Sequence, residues 1–153
     1  MVRFLDKDKE MGLLSELFDI FYRNMESVAT FQGGFQEEKA EWTACVGGAL
    51  QKPPRQILLL YAGETLAGFC MYYIRGDVLM VEELQIKSAY QRTVLAAELF
   101  RFVRRNLLPK VEWIEAYAHQ PNAASQCLMR KLGMEQVGQD GIFLHFRGKA
   151  SHL

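Results

Sequence analysis

The sequence lacks an excess of charge of either sign, because its 18 basic residues equal its 18 acidic residues. A chain without a basic surplus is poorly suited to polyanions, so we expect no nucleic-acid partner. It also lacks an apolar run approaching the ~18 residues that cross a bilayer, and no signal-peptide pattern appears. We therefore expect a soluble, cytoplasmic protein without a membrane partner.

Cysteine is scarce. Cys45, Cys70 and Cys127 are odd in number, lie far apart, and form neither a C-x-x-C nor a Cys/His arrangement. This spacing argues against a disulfide framework and against a zinc site. We expect three reduced cysteines buried in the core, and no metal.

Apolar residues are abundant: they make up 50% of a chain of 153 residues. This length and composition suffice for one hydrophobic core, and no linker, repeat or low-complexity tract divides the chain. We therefore expect a single domain over residues 1–153.

Hydrophobic periodicity predicts helices and strands in a mixed order. The predicted helices cover residues 10–25, 36–50, from near 92 until Pro109, and 122–132. The predicted strands cover residues 56–61, 66–74, 78–86, 111–118 and a last hairpin through 137 and 142–146. The fold class that this order indicates is α+β with a mixed sheet.

The strand, loop and helix at residues 84–96 read LQIKSAYQRTVLA. A helix that opens after a strand presents unpaired N–H groups and a positive dipole end, which can hold a pyrophosphate. The segment resembles the central motif of the GNAT superfamily of acyl-coenzyme A-dependent N-acyltransferases, a strand L-x-V followed by [QR]-x-x-G-x-[GA]. Gln91 and Ala96 match the first and last positions of the loop pattern, whereas Val94 stands where the family usually has glycine.

Residues 122–134 read NAASQCLMRKLGM and resemble a second GNAT pattern, N-x-x-[AS]-x-x-L-[YF]-x-x-x-G-F. This segment follows the first motif by one strand, as the superfamily requires, and the resemblance covers about residues 66–146. Met129 stands where many relatives have tyrosine. Apart from the family, Asn122 and Gly133 also suit the N-cap and C-cap of an ordinary helix.

The resemblance implies a GNAT-like fold, with a mostly antiparallel twisted sheet of six to seven strands and about four helices, splayed between strands 78–86 and 111–118. It implies acetyl-coenzyme A as co-substrate. The implied contacts to its pyrophosphate are the backbone amides of Arg92, Thr93, Val94, Leu95 and Ala96. The implied contacts to its pantetheine arm are the backbone of Leu84, Gln85 and Ile86, with Asn122 and Ser125 beside it.

Transfer of an acyl group to an amine requires a group that accepts the amine's proton. Strand alternation puts Glu82 on the face shared by Leu84 and Ile86, so we expect Glu82 to be this base, with Glu83 the second choice. Because no tyrosine occupies position 129, Tyr117 is a candidate proton donor to the leaving thiolate, and His119 is a weaker candidate base.

The function we expect is N-acetyl transfer from acetyl-coenzyme A to a primary amine of a small molecule or peptide. The acceptor would be selected by the first two helices and the loop between them. Val94 and Met129 motivate an alternative, a non-catalytic acyl-coenzyme A sensor or a structural, dimer-forming relative. A plain protein-interaction domain is a third class. Exposed apolar strands are compatible with a homodimer.

Overall fold

The computed structural model describes all residues from 1 to 153. Seven strands form one sheet in the order β1-β2-β3-β4-β5-β7-β6, antiparallel throughout except between β4 and β5. The strands are β1 (Val2–Phe4), β2 (Arg55–Ala62), β3 (Thr65–Arg75), β4 (Val78–Ile86), β5 (Trp113–His119), β6 (Glu135–Asp140) and β7 (Phe143–Lys149). This mixed sheet confirms the predicted fold class.

Four helices cover the two faces of the sheet. They are α1 (Leu14–Met25), α2 (Phe35–Leu50), α3 (Val94–Asn106) and α4 (Ala123–Lys131). α1 and α2 pack on the face that carries Ile57, Leu59 and Phe69, which we call the α1 face. α3 and α4 pack on the opposite face, the α3 face, where a larger core includes Leu79 and Phe146. None of the four helices has the length and apolarity that crossing a membrane requires.

The elements predicted from the sequence are present, but three details differ. Strand β1 was not predicted, because three residues are too few to show a period. Helix α3 begins at Val94 and not near Arg92, because Arg92 has a left-handed φ of 59° and Thr93 caps the helix. The expectation of three buried cysteines was wrong for Cys45 and Cys127.

Of the three cysteines, only Cys70 is buried, and all are free thiols. Cys70 lies in the middle strand of the meander, whereas Cys45 and Cys127 lie on helices that bury only one side. Apolar surroundings in the sequence therefore did not imply burial. Burial raises the pKa of the Cys70 thiol to about 12, so it is neutral and unreactive at neutral pH.

A β-bulge interrupts β4 at Glu82. Met71 of β3 pairs with Glu83, but the next residue, Tyr72, pairs with Val81, which leaves Glu82 without a partner of its own. A bulge of this kind inserts one residue and resets the alternation of side chains beyond it. The sequence-based assignment of side chains to the two faces of this strand is therefore wrong beyond Glu82.

Candidate active site

The parallel strands β4 and β5 separate halfway along their length. They pair from Val78 with Trp113 to Val81 with Ala116, and no pair follows. This separation confirms the predicted splay between the two strands. Beyond Val81, the β5-facing edge of β4 has no neighbouring strand, so its main-chain groups can pair with an extended ligand as a further strand would.

The splayed half of β4 leaves no space for a side chain at Gly68 of β3. A Cβ added to Gly68 would lie 2.6 Å from the carbonyl oxygen of Gln85 and 3.1 Å from the Cα of Ile86. Only glycine allows this approach. Gly68 thus leaves the space that β3 and the end of β4 need to pair where β5 no longer pairs with β4.

The start of α3 presents a row of backbone donors beside the splay. No backbone partner accepts from the N–H groups of residues 92–95, whereas the N–H of Ala96 donates to the Thr93 hydroxyl at 3.3 Å. The residue before this row is Gln91, whose side-chain amide donates to the carbonyl oxygen of Ile86 at 2.8 Å. The loop thereby fixes unpaired donors and the positive end of a helix dipole next to the end of β4.

Val94 occupies the first helical position in this row. Its side chain is 77% exposed and therefore packs little against the protein. Its backbone is helical, so this position does not require the conformational freedom of glycine. The departure from the family pattern leaves the N–H of Val94 available as a donor.

The second predicted segment, at α4, lies one strand further on. Asn122 caps α4, because its side-chain oxygen accepts from the N–H of Ser125 at 3.1 Å. The capping interpretation of Asn122 is therefore confirmed, and its contact with a ligand stays a prediction, as does that of Ser125. Met129 packs against the core of the α3 face and brings no hydroxyl to the splay.

The bulge places both carboxylates of β4 on the α1 face. Glu82 pairs with Arg55, which lies on the same face of β2 as Ile57 and Leu59, since side chains alternate along a strand. Glu83 pairs in register with Met71, another residue of that face. The expectation that Glu82 shares a face with Leu84 and Ile86 was therefore wrong, because the inserted residue resets the alternation.

Glu82 is engaged in an ion pair. Both of its carboxylate oxygens accept from Arg55, one from Nε and the other from Nη2 at 2.7 Å. The Arg55 guanidinium in turn lies 5.0 Å from the ring centre of Tyr73. This two-point pair therefore occupies both carboxylate oxygens of Glu82.

Glu83, in contrast to Glu82, pairs with no cation. It is half-buried, and one of its oxygens, Oε1, accepts from the side-chain amide of Gln85 at 2.6 Å. Removal from water raises the pKa of Glu83 to about 7, an effect that the neighbouring Glu82 strengthens and the Gln85 hydrogen bond opposes. Glu83 can therefore take up and release a proton near neutral pH.

Two further candidates lie on β5 beyond its last pair with β4. Tyr117 is 45% exposed and its ring stacks on His145, with ring centres 4.5 Å apart. His119 lies with Nδ1 3.4 Å from the carbonyl oxygen of Val28, which belongs to the segment between α1 and α2. This contact joins the α1–α2 segment to the mouth of the splay. A role for either side chain in proton transfer stays a prediction.

Sequence reasoning missed two residues that contact the carboxylate region. Arg55, which pairs with Glu82, is separated from it by the whole of β3, and no local pattern connects them. Asn24 donates to Gln85 from α1 at 2.9 Å. A signal for Asn24 existed, because it falls seven residues after Leu17, on the apolar stripe of α1, where a polar residue needs a partner.

Comparison with known proteins supports the fold and goes no further. No family model matches the sequence. No curated protein matches it either. Solved structures similar to it include the PaiA N-acetyltransferase of Thermoplasma acidophilum in complex with coenzyme A, at 16% identity, with 97% of this chain and 98% of that chain covered and a TM-score of 0.77.

An acetyltransferase from Thermus thermophilus is 13% identical over 97% of each chain, with a TM-score of 0.78. The ribosomal-protein-S18-alanine N-acetyltransferase of Escherichia coli is 14% identical, covers 98% of this chain and 93% of its own, and has a TM-score of 0.70. This chain therefore has the GNAT fold that its two motifs predicted.

Proposed function

We propose that this protein transfers an acetyl group from acetyl-coenzyme A to a primary amine. The observation that carries the proposal is the coincidence of three features at one end of β4. They are the unpaired edge beyond Val81, the unpaired N–H groups of residues 92–95, and the titratable carboxylate of Glu83. Most strand-loop-helix units have the second feature alone.

The residues at this end of β4 fit an acyl-coenzyme A. The N–H groups of residues 92–95 would donate to its diphosphate, and the open β4 edge beyond Val81 would pair with the amides of its pantetheine arm. The Ile86 carbonyl oxygen would take no part in this pairing, because it already accepts from Asn24 and Gln91. When bound, acetyl-coenzyme A supplies a thioester carbonyl that an amine can attack. The coenzyme A complex of the Thermoplasma protein supports this fit, since the two folds match over nearly their full length.

Glu83 is the base that the geometry favours over Glu82. An amine arrives at neutral pH as an ammonium ion and must lose a proton before it attacks, and a base is most effective when its pKa is near the working pH. Glu83 has a pKa of about 7 and one carboxylate oxygen without a hydrogen-bond partner in the protein, whereas Arg55 holds both oxygens of Glu82. In the overall exchange a carbon–nitrogen bond replaces the carbon–sulfur bond, and a free thiol and a proton are released.

The acceptor amine would approach from the α1 face, on which Glu83 lies. The segment that joins α1 to α2 borders this approach, since Val28 contacts β5 through His119. Phe31 contacts Tyr22 with ring centres 4.7 Å apart and gives the segment an apolar wall. Such a wall fits a small-molecule or a peptide amine. The fold is compatible with both classes of acceptor, because the similar structures include an acetyltransferase of a ribosomal protein and an acetyltransferase of aminoglycosides.

Two measurements test the proposal in sequence. Calorimetric titration with acetyl-coenzyme A should show binding, and a plain protein-interaction domain would show none. Release of thiol in the presence of a pool of primary amines should then exceed release without them and should be lost in Glu83→Gln. Binding without amine-dependent thiol release would instead support the alternative, a non-catalytic sensor, which Met129 in place of the family tyrosine motivates.

A further inference from the structure

The side chain of Asn24 reaches from α1 to the end of β4. Its Nδ2 donates to the Oε1 of Gln85 at 2.9 Å and to the backbone carbonyl oxygen of Ile86 at 2.9 Å. Asn24 lies in the last turn of α1, and α1 packs directly on β4. One amide group thus joins the helix to a side chain and to the main chain of the strand.

These two hydrogen bonds determine which way the Gln85 amide points. The carbonyl oxygen of Ile86 can only accept, so Asn24 must direct its NH₂ group towards the strand. The Gln85 atom that faces this NH₂ group must then be the oxygen. The NH₂ group of Gln85 is consequently directed the other way, where it donates to Oε1 of Glu83 at 2.6 Å.

Gln85 is an unusual residue to find at this place. It is 9% exposed and is the one polar side chain among the buried residues of the chain. A buried amide needs partners for both of its ends, and Asn24 and Glu83 supply them. The series Asn24, Gln85, Glu83 is therefore a continuous hydrogen-bonded connection between α1 and the proposed base.

We propose that Asn24 is a positioning residue for the Glu83 base, acting through the side chain of Gln85. The proposal rests on the transferase function proposed above. Asn24 sets the orientation of the Gln85 amide, and the Gln85 amide holds one oxygen of Glu83. The other oxygen of Glu83 is then free to accept the proton of the amine. Removal of Asn24 allows the Gln85 amide to turn over, so that its oxygen accepts from the protonated Glu83 carboxyl group and no donor stabilises the ionised form.

The anchor point of Asn24 is shared with the donor-binding loop. The Ile86 carbonyl oxygen accepts from Asn24 and also from the Gln91 side chain at 2.8 Å, which satisfies both of its lone pairs. Gln91 directly precedes the row of unpaired N–H groups. The base and the loop proposed to hold the diphosphate are thus fixed to the same peptide group at the end of β4.

The other ionisable groups near Glu83 do not form a hydrogen bond with its carboxylate. Glu82, on the same strand, raises the pKa of Glu83, and its own charge is held by Arg55 of β2. On β3, the Cys70 thiol is neutral at neutral pH, with a pKa of about 12.

From α1, Asp19 pairs with Lys39 of α2 and Arg23 is exposed. On β5, Glu115 pairs with Met80 before the splay and lies 3.4 Å from His145, on which the ring of Tyr117 stacks. The Gln85 amide is therefore the one hydrogen-bond donor that acts on the Glu83 carboxylate.

The test compares Asn24→Leu, which keeps most of the side-chain volume and removes the donor, with Arg23→Ala, a neighbouring exposed change on the same helix. Glu83 is followed by carbon-13 NMR titration of its labelled carboxyl group, without substrate. We expect the pKa of Glu83 to rise by about half a unit in Asn24→Leu and to stay unchanged in Arg23→Ala, since the Gln85 hydrogen bond lowers it. If Asn24→Leu does not fold, Asn24→Ala gives the same comparison.

Amine-dependent thiol release provides the second readout. In Asn24→Leu we expect kcat/KM for the amine at pH 7 to fall about tenfold. The acidic limb of the pH profile of kcat/KM should shift by as much as the pKa of Glu83 does in the NMR titration. The Kd for acetyl-coenzyme A should stay unchanged. If the pKa of Glu83 does not shift in a folded Asn24 variant, the positioning role of Asn24 is wrong. Amine-dependent thiol release by the wild type would in that case still support the transferase proposal. A shifted titration in a protein that releases no thiol with any amine would overturn the transferase proposal, and the role of Asn24 in it.

Discussion

The two halves of strand β4 have opposite surroundings, although they belong to one continuous strand. Up to Val81 the strand is paired with β3 on one side and β5 on the other, and Leu79 is completely buried. From Glu82 onwards it is paired with β3 only, and it carries the polar residues Glu82, Glu83 and Gln85. The first half is paired on both sides within the sheet, and the second half leaves its β5-facing edge open.

The bulge at Glu82 lies at the boundary between these halves. It coincides with the last pair between β4 and β5, so the strand changes direction where its neighbour leaves it. It also places two adjacent carboxylates on one face, where they acquire different states. Arg55 pairs with Glu82, and burial raises the pKa of Glu83 to about 7. Local geometry therefore separates a carboxylate held in an ion pair from the carboxylate that we propose as the base.

The largest expected effect tests this separation of the two carboxylates. Glu83→Gln should reduce kcat/KM for the amine at least ~100-fold, since it removes the proposed proton acceptor. Glu82→Gln should reduce it less than about fivefold, because it leaves the proposed base in place. It weakens the ion pair with Arg55 and removes the smaller of the two effects that raise the pKa of Glu83. Steady-state thiol release by the two purified variants measures both. Equal losses in the two variants would contradict the assignment of the base to Glu83.

The next effect concerns the close approach of β3 to the splayed half of β4. Gly68→Ala should destabilise the protein by about 2 kcal/mol, because its Cβ would lie 2.6 Å from the Gln85 carbonyl oxygen and force the strands apart. Gly138→Ala is the matched control, since the nearest atom to its Cβ would be 3.9 Å away. Urea unfolding measures the free energy of each. A fully stable Gly68→Ala protein would show that the end of β4 is not held by this contact.

A smaller effect addresses the unpaired donors at the start of α3. Val94→Pro removes one N–H group at the first helical position, which tolerates proline, and the extended backbone of Thr93 suits a residue before proline. We expect the Kd for acetyl-coenzyme A to rise about tenfold, the value of one hydrogen bond to a charged acceptor. Val94→Ala keeps the N–H group and should bind as the wild type does. Calorimetry that finds both variants equally affected would implicate the side chain and not the amide.

The smallest effect is a pH-dependent change in stability. The folded protein has a Glu83 pKa of about 7, above the ordinary value of 4.5, so it binds more protons than the unfolded chain between these values. Its stability therefore falls as pH rises through this window. Glu83→Gln should be more stable than the wild type by roughly 1 kcal/mol at pH 8 and no more stable at pH 4, a modest gain because Glu83 is only half-buried. Thermal melts at the two pH values test this, and an equal gain at both would contradict the raised pKa.

The sequence was sufficient for the fold and for the splay beside which the candidate site lies. The periods of the apolar residues indicated the order of helices and strands, and the segments 84–96 and 122–134 pointed to the splay between β4 and β5. Both signals are local, since each depends on residues close together along the chain. The capping role of Asn122 followed from the same local chemistry.

The sequence was not sufficient for the chemistry of the two carboxylates. Simple alternation assigned Glu82 to the face of Leu84, and the bulge that overturns this assignment depends on the pairing of Met71 and Tyr72 with β4. The partners of the carboxylates come from other elements, Arg55 from β2 and Asn24 from α1. Contacts of such long sequence separation follow from tertiary packing, which periodicity does not describe.

A crystal structure of the protein with acetyl-coenzyme A tests the proposed site most directly. We predict that the diphosphate lies within hydrogen-bond distance of the N–H groups of residues 92–95 and that the pantetheine arm runs along the open edge of β4. We also predict the thioester on the side of the splay that Glu83 can reach. A donor bound elsewhere, or a β4 edge and α3 start that make no contact with it, would contradict the proposed site.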